Sequence, residues 1–327
     1  MEPAAINLWL LIIALGLDAV IGWPDALYRA IRHPVVWIGS VIAMLERLLN
    51  RPGWPDSLRR AGGIIALLAL LAVVGGITVS LSLMLRGLPW GWLVEALLAA
   101  SLIAQRSLYD HVAAVARGLE QDGLAGGRRA VAMIVGRAPE SLDEHGISRA
   151  AIESLAENYS DGVVAPAFWL LVGGLPGIAL YKAINTADSM IGHRSDRYRA
   201  FGWAAARLDD LVNLPASRLT ALLLVLAAVI TPGAVPLRAF SAVERDAGRH
   251  RSPNAGWPEA AMAGALGLKL AGPRRYAEGW VEDHWMGGDD GRSEATAADI
   301  RRGLRLFVTA CLCMAGLTVL WLIATQL

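Results

Sequence analysis

From Ala61 to Leu85 the chain runs without one charged residue. A helix crosses the hydrocarbon core of a bilayer with about 20 mostly apolar residues, so this stretch reads as a membrane span. Ile6–Ile21, Trp90–Ala104 and Leu304–Leu327 read the same way. Two further apolar segments are shorter or interrupted. Val163–Ile184 is broken by Gly173-Gly174-Leu175-Pro176-Gly177, and Ser217–Ile230 ends at Pro232 and Gly233. The expected fold is all-α: a polytopic integral membrane protein with about four full transmembrane helices plus two short or re-entrant apolar segments. Residues 1–327 form one membrane domain, in which 106–160 and 232–303 are long cytoplasmic helical stretches. Composition agrees, with 55% hydrophobic and 18% charged residues, where soluble domains carry about 25% charged. The net charge of +1 gives no basis for nucleic-acid binding.

The arginines fall between the apolar blocks. Six lie in 23–60, six in 106–160, four with Lys182 in 182–215, and nine with Lys269 in 232–303. Only Arg86 occupies the link 86–89. The positive-inside rule therefore assigns the long stretches to the cytoplasm and the 86–89 link to the outside. If both interrupted segments crossed fully, 182–215 would be forced outside against its charge. A re-entrant hairpin with its apex at Gly-Gly-Leu-Pro-Gly removes that conflict, since broken backbone is tolerated at membrane depth where protein or water covers it. The N-terminus lacks a basic region of signal-peptide type. Cys311 and Cys313 lie inside the last apolar block and are expected to face lipid or core.

Polar residues of chemical interest concentrate between Ile147 and Leu219. Glu153, Glu157 and Asp161 recur every four residues, so a regular helix would carry them on one face. Like charges so placed repel unless a cation lies between them, and Mg²⁺ takes such oxygen ligands together with phosphates. A second helix is expected to carry Lys182, Asn185, Asp188 and Ser189 on one face, followed by the basic run His193, Arg194, Arg197 and Arg199. Arg207, Asp209, Asp210 and Asn213 form a second acidic set before Pro215. Ser252-Pro253-Asn254-Ala255-Gly256 is turn chemistry leading to a helix with Pro258 and Glu259 in its first turn. There is no P-loop, G-x-S-x-G, H-E-x-x-H or C-x-x-C motif, so a nucleotide site here is of another design.

Three strings give these residues a context: ESLAENYSDGVVAPAFW, the run from YKAINTADSMIGHRS to YRAFGWAAARLDDLVNLPASRLTALL, and SPNAGWPEAAMAGALG. With Leu17-Asp18, His33-Pro34 and Ile38-Gly39, they resemble the CobD/CbiB family of adenosylcobinamide-phosphate synthases. This chain departs at Gly22-Trp23-Pro24, where the family often has Gly-Asp-Pro, and at Tyr159, where the family often has Phe. The resemblance implies ATP-dependent amide formation between a corrinoid propionate, on adenosylcobyric acid, and (R)-1-amino-2-propanol or its O-phosphate, through an acyl phosphate. It implies ATP and Mg²⁺, a bacterial inner membrane, and an active site facing the cytoplasm. On that reading Glu153, Glu157, Asp161, Asp188 and Asp209 hold metal, while Glu157, Asp188, Lys182 and Asp210 take part in catalysis. Asn185, Arg194, Arg207, Asn213, Asn254 and Glu259 bind nucleotide or substrate. Helices rich in Gly and Ala permit a homo-oligomer. Two other classes share some of these features: a membrane-embedded, metal-dependent transferase acting on a lipid diphosphate, and a transporter with broken helices.

Overall fold

The computed structural model describes residues 3–135, 139–272, 274–276, 279–281, 284–288 and 290–325; Asp289, expected to be a solvated loop residue, lies outside them. Among the described residues the helices in chain order are α1 (Pro3–Val20), α2 (Asp25–Ile31), α3 (Pro34–Leu49), α4 (Asp56–Arg86), α5 (Gly91–Ala100), α6 (Gln105–Val131), α7 (Glu144–Tyr159), α8 (Ala165–Ile191), α9 (Trp203–Ile230), α10 (Pro236–Asp246), α11 (Gly256–Leu266) and α12 (Ala297–Ala324). The strands are short: β1 (Leu270–Ala271) pairs antiparallel with β4 (Trp285–Met286), and β2 (Arg274–Tyr276) with β3 (Gly279–Val281). The chain is an all-α protein with helices long and apolar enough to cross a membrane: Asp56–Arg86, Glu144–Ile191, Trp203–Ile230 and Ala297–Ala324. Ala5–Val20 is apolar but shorter.

These spans differ in part from the expected set. Trp90–Ala104 yields only the ten-residue α5, about 15 Å long, half the hydrocarbon thickness. Ser217–Ile230, expected as a short segment, is the second half of a continuous 28-residue helix that runs through Pro215.

The chain packs as two compact units, Met1–Ala104 with Ala165–Asn213 and Thr318–Leu327, and Gln105–Val164 with Leu214–Leu317. In the first unit α4 packs on α3 and α8, and α1 on α5 and α8. Its core includes Ile38, Ile42, Leu67, Leu70, Ala183, Ala187, Ile191 and Phe201. Close approach here depends on glycine: a Cβ on Gly63 would lie 1.8 Å from the Phe201 carbonyl oxygen, and one on Gly202 1.6 Å from that of Ile191. This is the physical content of the Phe201-Gly202 pair.

The break at Gly174 is a chain reversal. Gly174 has φ 60° and ψ −152°, and a Cβ on Gly177 would fall 2.2 Å from the Trp169 carbonyl oxygen. Residues eight apart in one helix are about 12 Å apart along its axis, so such contact requires the two arms of α8 to lie side by side. The hairpin expected at Gly-Gly-Leu-Pro-Gly is therefore present. Its apex sits beside α1 and the end of α4: Asn7 Nδ2 donates to the Leu171 carbonyl (3.0 Å), and a Cβ on Gly174 would stand 3.2 Å from Asn7 Oδ1 and 3.4 Å from Arg86 Nη2. Arg86 also reaches the fully buried Glu95 (3.5 Å), to which Ser82 Oγ donates (2.9 Å).

The second unit contains the same device in α6. Gly123 has φ 60° and ψ −150°, and Gly118 and Gly126 meet backbone to backbone, each lacking room for a Cβ (2.7 and 2.4 Å). α10 lies against α11, where Gly264 admits the Arg238 carbonyl and Ala239. The long stretch after α11 is fastened to buried Asp246, which accepts from the Arg245 guanidinium (2.7 and 2.8 Å) and the Gly287 amide (2.9 Å). Burial of Asp246 works to raise its pKa, yet Arg245, Gly287 and His284 together hold it below the usual aspartate range.

Candidate active site

The first unit gathers the residues of the second string. The returning arm of α8 presents Tyr181, Asn185 and Asp188 on one face, since offsets of four and three residues fall on the same side of a helix. Opposite stand Asp209 and Asn213, one turn apart on α9. Tyr181 Oη donates to Asn213 Oδ1 (2.9 Å). Asn213 Nδ2 donates to Asp209 Oδ2 (3.0 Å), and Asn185 Nδ2 to Asp209 Oδ1 (3.4 Å). Both oxygens of Asp209 are thus held by amides. Asp188 and Asp210 each lie within electrostatic range of Asp209 and of one another, with His193 beside Asp188. Three carboxylates converge on two helices, and Arg207 Nη1 reaches Asp210 Oδ2 (3.4 Å). Gly192 clears the space for Asp188, because a Cβ there would lie 1.9 Å from Asp188 Oδ1.

Lys182, one residue beyond Tyr181 and three before Asn185, lies close enough to His33 to act on it electrostatically. His33 caps α3, its Nδ1 accepting from the Val35 amide (3.2 Å). Burial, then the nearby Lys182 charge, push its pKa below the ordinary histidine value. Trp23, at the departure from Gly-Asp-Pro, sets its ring edge-on to His33 at 5.0 Å. An aromatic contact thus occupies a position where the family often has a carboxylate.

Two of the four residues of the basic run serve as tethers. Arg197 makes a forked contact with Glu46, itself buried (Nε and Nη2 to Oε1, 3.0 and 2.8 Å; Nη2 to Oε2, 3.1 Å). Arg199 reaches Asp56 (3.3 Å), and Arg59 Nη2 donates to the Arg197 carbonyl. Arg194 is exposed.

The acidic set of the first string does not keep one face. Glu153 is buried and accepts from the Ala271 amide (2.8 Å), holding a residue at φ 56°. Glu157 is exposed. Asp161 lies in a π-helical turn, Ser160–Val164, whose wider winding rotates it away from the phase set by Glu153 and Glu157. Even spacing in sequence thus did not become even spacing around a helix, and Glu153 has a structural task. These three carboxylates belong to one unit, and Asp188, Asp209 and Asp210 to the other. Among the described residues, no group of three or more His, Cys, Asp or Glu is arranged as a ready-made metal site.

Asn254 and Glu259 are both buried. Asn254 Oδ1 accepts from Ser217 Oγ (3.1 Å) and Arg218 Nη1 (3.0 Å). Arg218 stacks over Trp257 at 4.5 Å, and Glu259 approaches His250 at 4.0 Å. Ser252 Oγ accepts from the Asn254 and Ala255 amides, as the turn chemistry predicts. This cluster within the second unit fixes the SPNAGWPE string to α9.

The chain matches the family described as CobD/Cbib protein over residues 11–307. It belongs to the CobD/CbiB family. Cobalamin biosynthesis protein CobD of a Sinorhizobium species is 53% identical over 94% of this chain and 96% of its own length. The protein of the same name from Rhodobacter capsulatus is 52% identical over 95% of each chain, and that from Brucella anthropi 51% over 96% of each. No solved structure matches the chain. As a CobD-family chain with several candidate spans, this is a multi-pass membrane protein of cobalamin biosynthesis. Within that family frame, sequence reasoning missed Tyr181, which anchors Asn213, and Glu46, which anchors Arg197. Tyr181 was within reach, standing four residues before Asn185.

Proposed function

We propose that the chain joins a corrinoid propionate to (R)-1-amino-2-propanol or its O-phosphate, consuming ATP, at the site formed by α8 and α9. The observation that carries this reading is the convergence of Asp188, Asp209 and Asp210 with Asn185 and Asn213 in the strings that carry the family likeness. The donor set fits a magnesium–nucleotide complex, because Mg²⁺ is usually held by one or two carboxylates plus phosphates and water, without an all-protein cage. Bound ATP supplies the phosphoryl group that turns an unreactive carboxylate into an acyl phosphate, and Mg²⁺ offsets phosphate charge. Asp188 and Asp210 are the carboxylates that would hold the metal. Asp209, its two oxygens held by Asn185 and Asn213, would stand beside them as proton acceptor for the amine. Lys182, Arg194 and Arg207 meet phosphate charge as it develops. Glu157 and Asp161 remain a second carboxylate position, in their own unit. The bacterial inner membrane and a cytoplasm-facing site belong to the same proposal.

The test uses purified protein in detergent with adenosylcobyric acid, aminopropanol phosphate and ATP–Mg²⁺. Mass spectrometry should find the condensed amide, and Asp188→Ala or Asp210→Ala should abolish it with the fold intact. Full turnover by both variants would refute the site; turnover on a lipid diphosphate instead would favour a transferase.

A further inference from the structure

The second unit holds a cavity of about 470 Å³ lined by Tyr109, Thr231, Pro232, Arg301, Leu304, Arg305, Val308 and Thr309. Small-molecule sites are commonly about 300–1,000 Å³ with an apolar wall and a few convergent polar groups. This cavity has both: Leu304 and Val308 on one side, and Tyr109, Thr231, Thr309 and two guanidinium groups among its lining. None of these residues takes part in the α8–α9 cluster.

The charges differ in availability. Arg301 is committed to Glu120, with Nε donating to Oε1 (2.7 Å) and Nη2 to Oε2. Arg302, next along, is committed to Asp299 (2.9 Å) and the Gly233 carbonyl. No carboxylate pairs with Arg305 among the described residues, and Arg305 is exposed. The lining thus holds a positive charge in excess, one that an anion would answer.

The depth of the cavity follows from two helices independently. Arg305 is the last charge on α12, and no charged residue follows it to the end of the chain. Beyond it Val308, Leu312, Leu317, Leu320 and Trp321 are exposed, as side chains facing lipid are. On α9 the exposed apolar residues Leu222, Leu226, Val229 and Ile230 stop where Thr231 and Pro232 line the cavity. α10 then leaves Leu237 and Phe240 exposed while Ala239 and Ala242 are buried, the pattern of a helix lying in an interface. Both apolar bands end at this cavity, so it opens at headgroup level.

We propose that the cavity binds the phosphate of an anionic amphiphile, with Arg305 as counter-ion, Tyr109 as hydrogen-bond donor, and Leu304 and Val308 against the first acyl carbons; the Thr231 and Thr309 hydroxyls donate to the Ala227 and Arg305 carbonyls and line the polar wall. The surrounding bilayer supplies such a ligand as anionic phospholipid.

Native mass spectrometry of the full chain in detergent tests this. Phosphatidylglycerol should give a retained one-lipid adduct, phosphatidylcholine a weaker one, and Arg305→Gln should weaken the phosphatidylglycerol adduct about five-fold, the worth of one interfacial arginine. Arg47→Gln, also exposed but in the other unit, should leave it unchanged. Circular dichroism and thermal melting of Arg305→Gln establish that it is folded. Equal retention of both lipids, or no change in Arg305→Gln, would overturn the proposal. Displacement of phosphatidylglycerol by millimolar inorganic phosphate would overturn the lipid assignment by showing a site for free phosphate.

Discussion

Tyr181 holds the carboxylate cluster from behind. It is buried, and its single hydroxyl fixes which way Asn213 faces, so that the amide nitrogen and not the oxygen meets Asp209. Tyr181→Phe keeps the ring and removes the donor. Expected are a loss of about 1 kcal/mol in stability and a clear fall in turnover; Ser189→Ala, whose exposed hydroxyl donates to the Asn185 carbonyl of its own helix, should change neither. Equal turnover in the two variants would remove Tyr181 from the site. His33 gives a pH prediction. Its pKa lies below the ordinary value, so the folded chain favours neutral imidazole, and its Nδ1 must be unprotonated to accept from Val35. Below about pH 6.5 the unfolded chain takes up a proton that the folded chain refuses, and stability falls as pH drops towards the folded pKa. Thermal melts at pH 7.5 and 5.5 should show that loss. His33→Asn keeps a capping side chain without titrating there, and should shrink the difference. The sequence displayed both histidine and carboxylates, but not their company: the pairing of Lys182 with His33, and of Asn185 with Asp209, depends on which helix lies beside α8.

At the scale of elements, two glycine-broken helices fold back on themselves, and each reversal depends on backbone contact that no side chain permits. Gly177→Val would drive a branched side chain into the Trp169 carbonyl, where even a Cβ stands at 2.2 Å. Overpacking costs about 1–3 kcal/mol in a well-packed core, and more is expected here because backbone must move; folded yield in detergent should drop sharply. Gly173, one residue before the reversal, has open space around it, and a Cβ there would meet nothing within 4 Å, so Gly173→Ala should express and melt like the parent. The Gly-Gly-Leu-Pro-Gly string made this hairpin legible, since a double glycine with proline cannot continue a lipid-exposed helix unaided. The reversal in α6 was not legible, because Gly123 sits in a polar stretch where one glycine is unremarkable. The π turn after Tyr159 was hidden for a related reason: SDGVV has ordinary composition, and nothing in it marks a change of winding. That turn is why the acidic set of Glu153, Glu157 and Asp161 read as one face and is not.

For the whole molecule, apolar run length identified a multi-pass helical protein, and the strings over 147–272 identified its family, because both signals are local. Which runs cross was less legible: α5 is too short, while α9 gains its length from Trp203–Leu214, a segment with too many charges to read as apolar. The α8 reversal bears directly on the placing of charge. Its second arm, Leu175–Ile191, is about 25 Å long at 1.5 Å per residue, close to the hydrocarbon thickness of about 30 Å. One end lies by Arg86 and Asn7, and the other runs into the basic loop containing Ser195. This arrangement predicts that the apex and the 86–89 link share one face of the bilayer and that Ser195 lies at the opposite face. In a Cys311→Ser, Cys313→Ser background, single cysteines at Leu88, Gly173 and Ser195, all exposed, should react with an impermeant maleimide in two classes. Leu88→Cys and Gly173→Cys should label from the same side, and Ser195→Cys only after the membrane is opened to the other. Labelling of Gly173→Cys and Ser195→Cys from one side would mean that the second arm does not cross, and that the arginines of 182–215 owe their placement to something other than this hairpin.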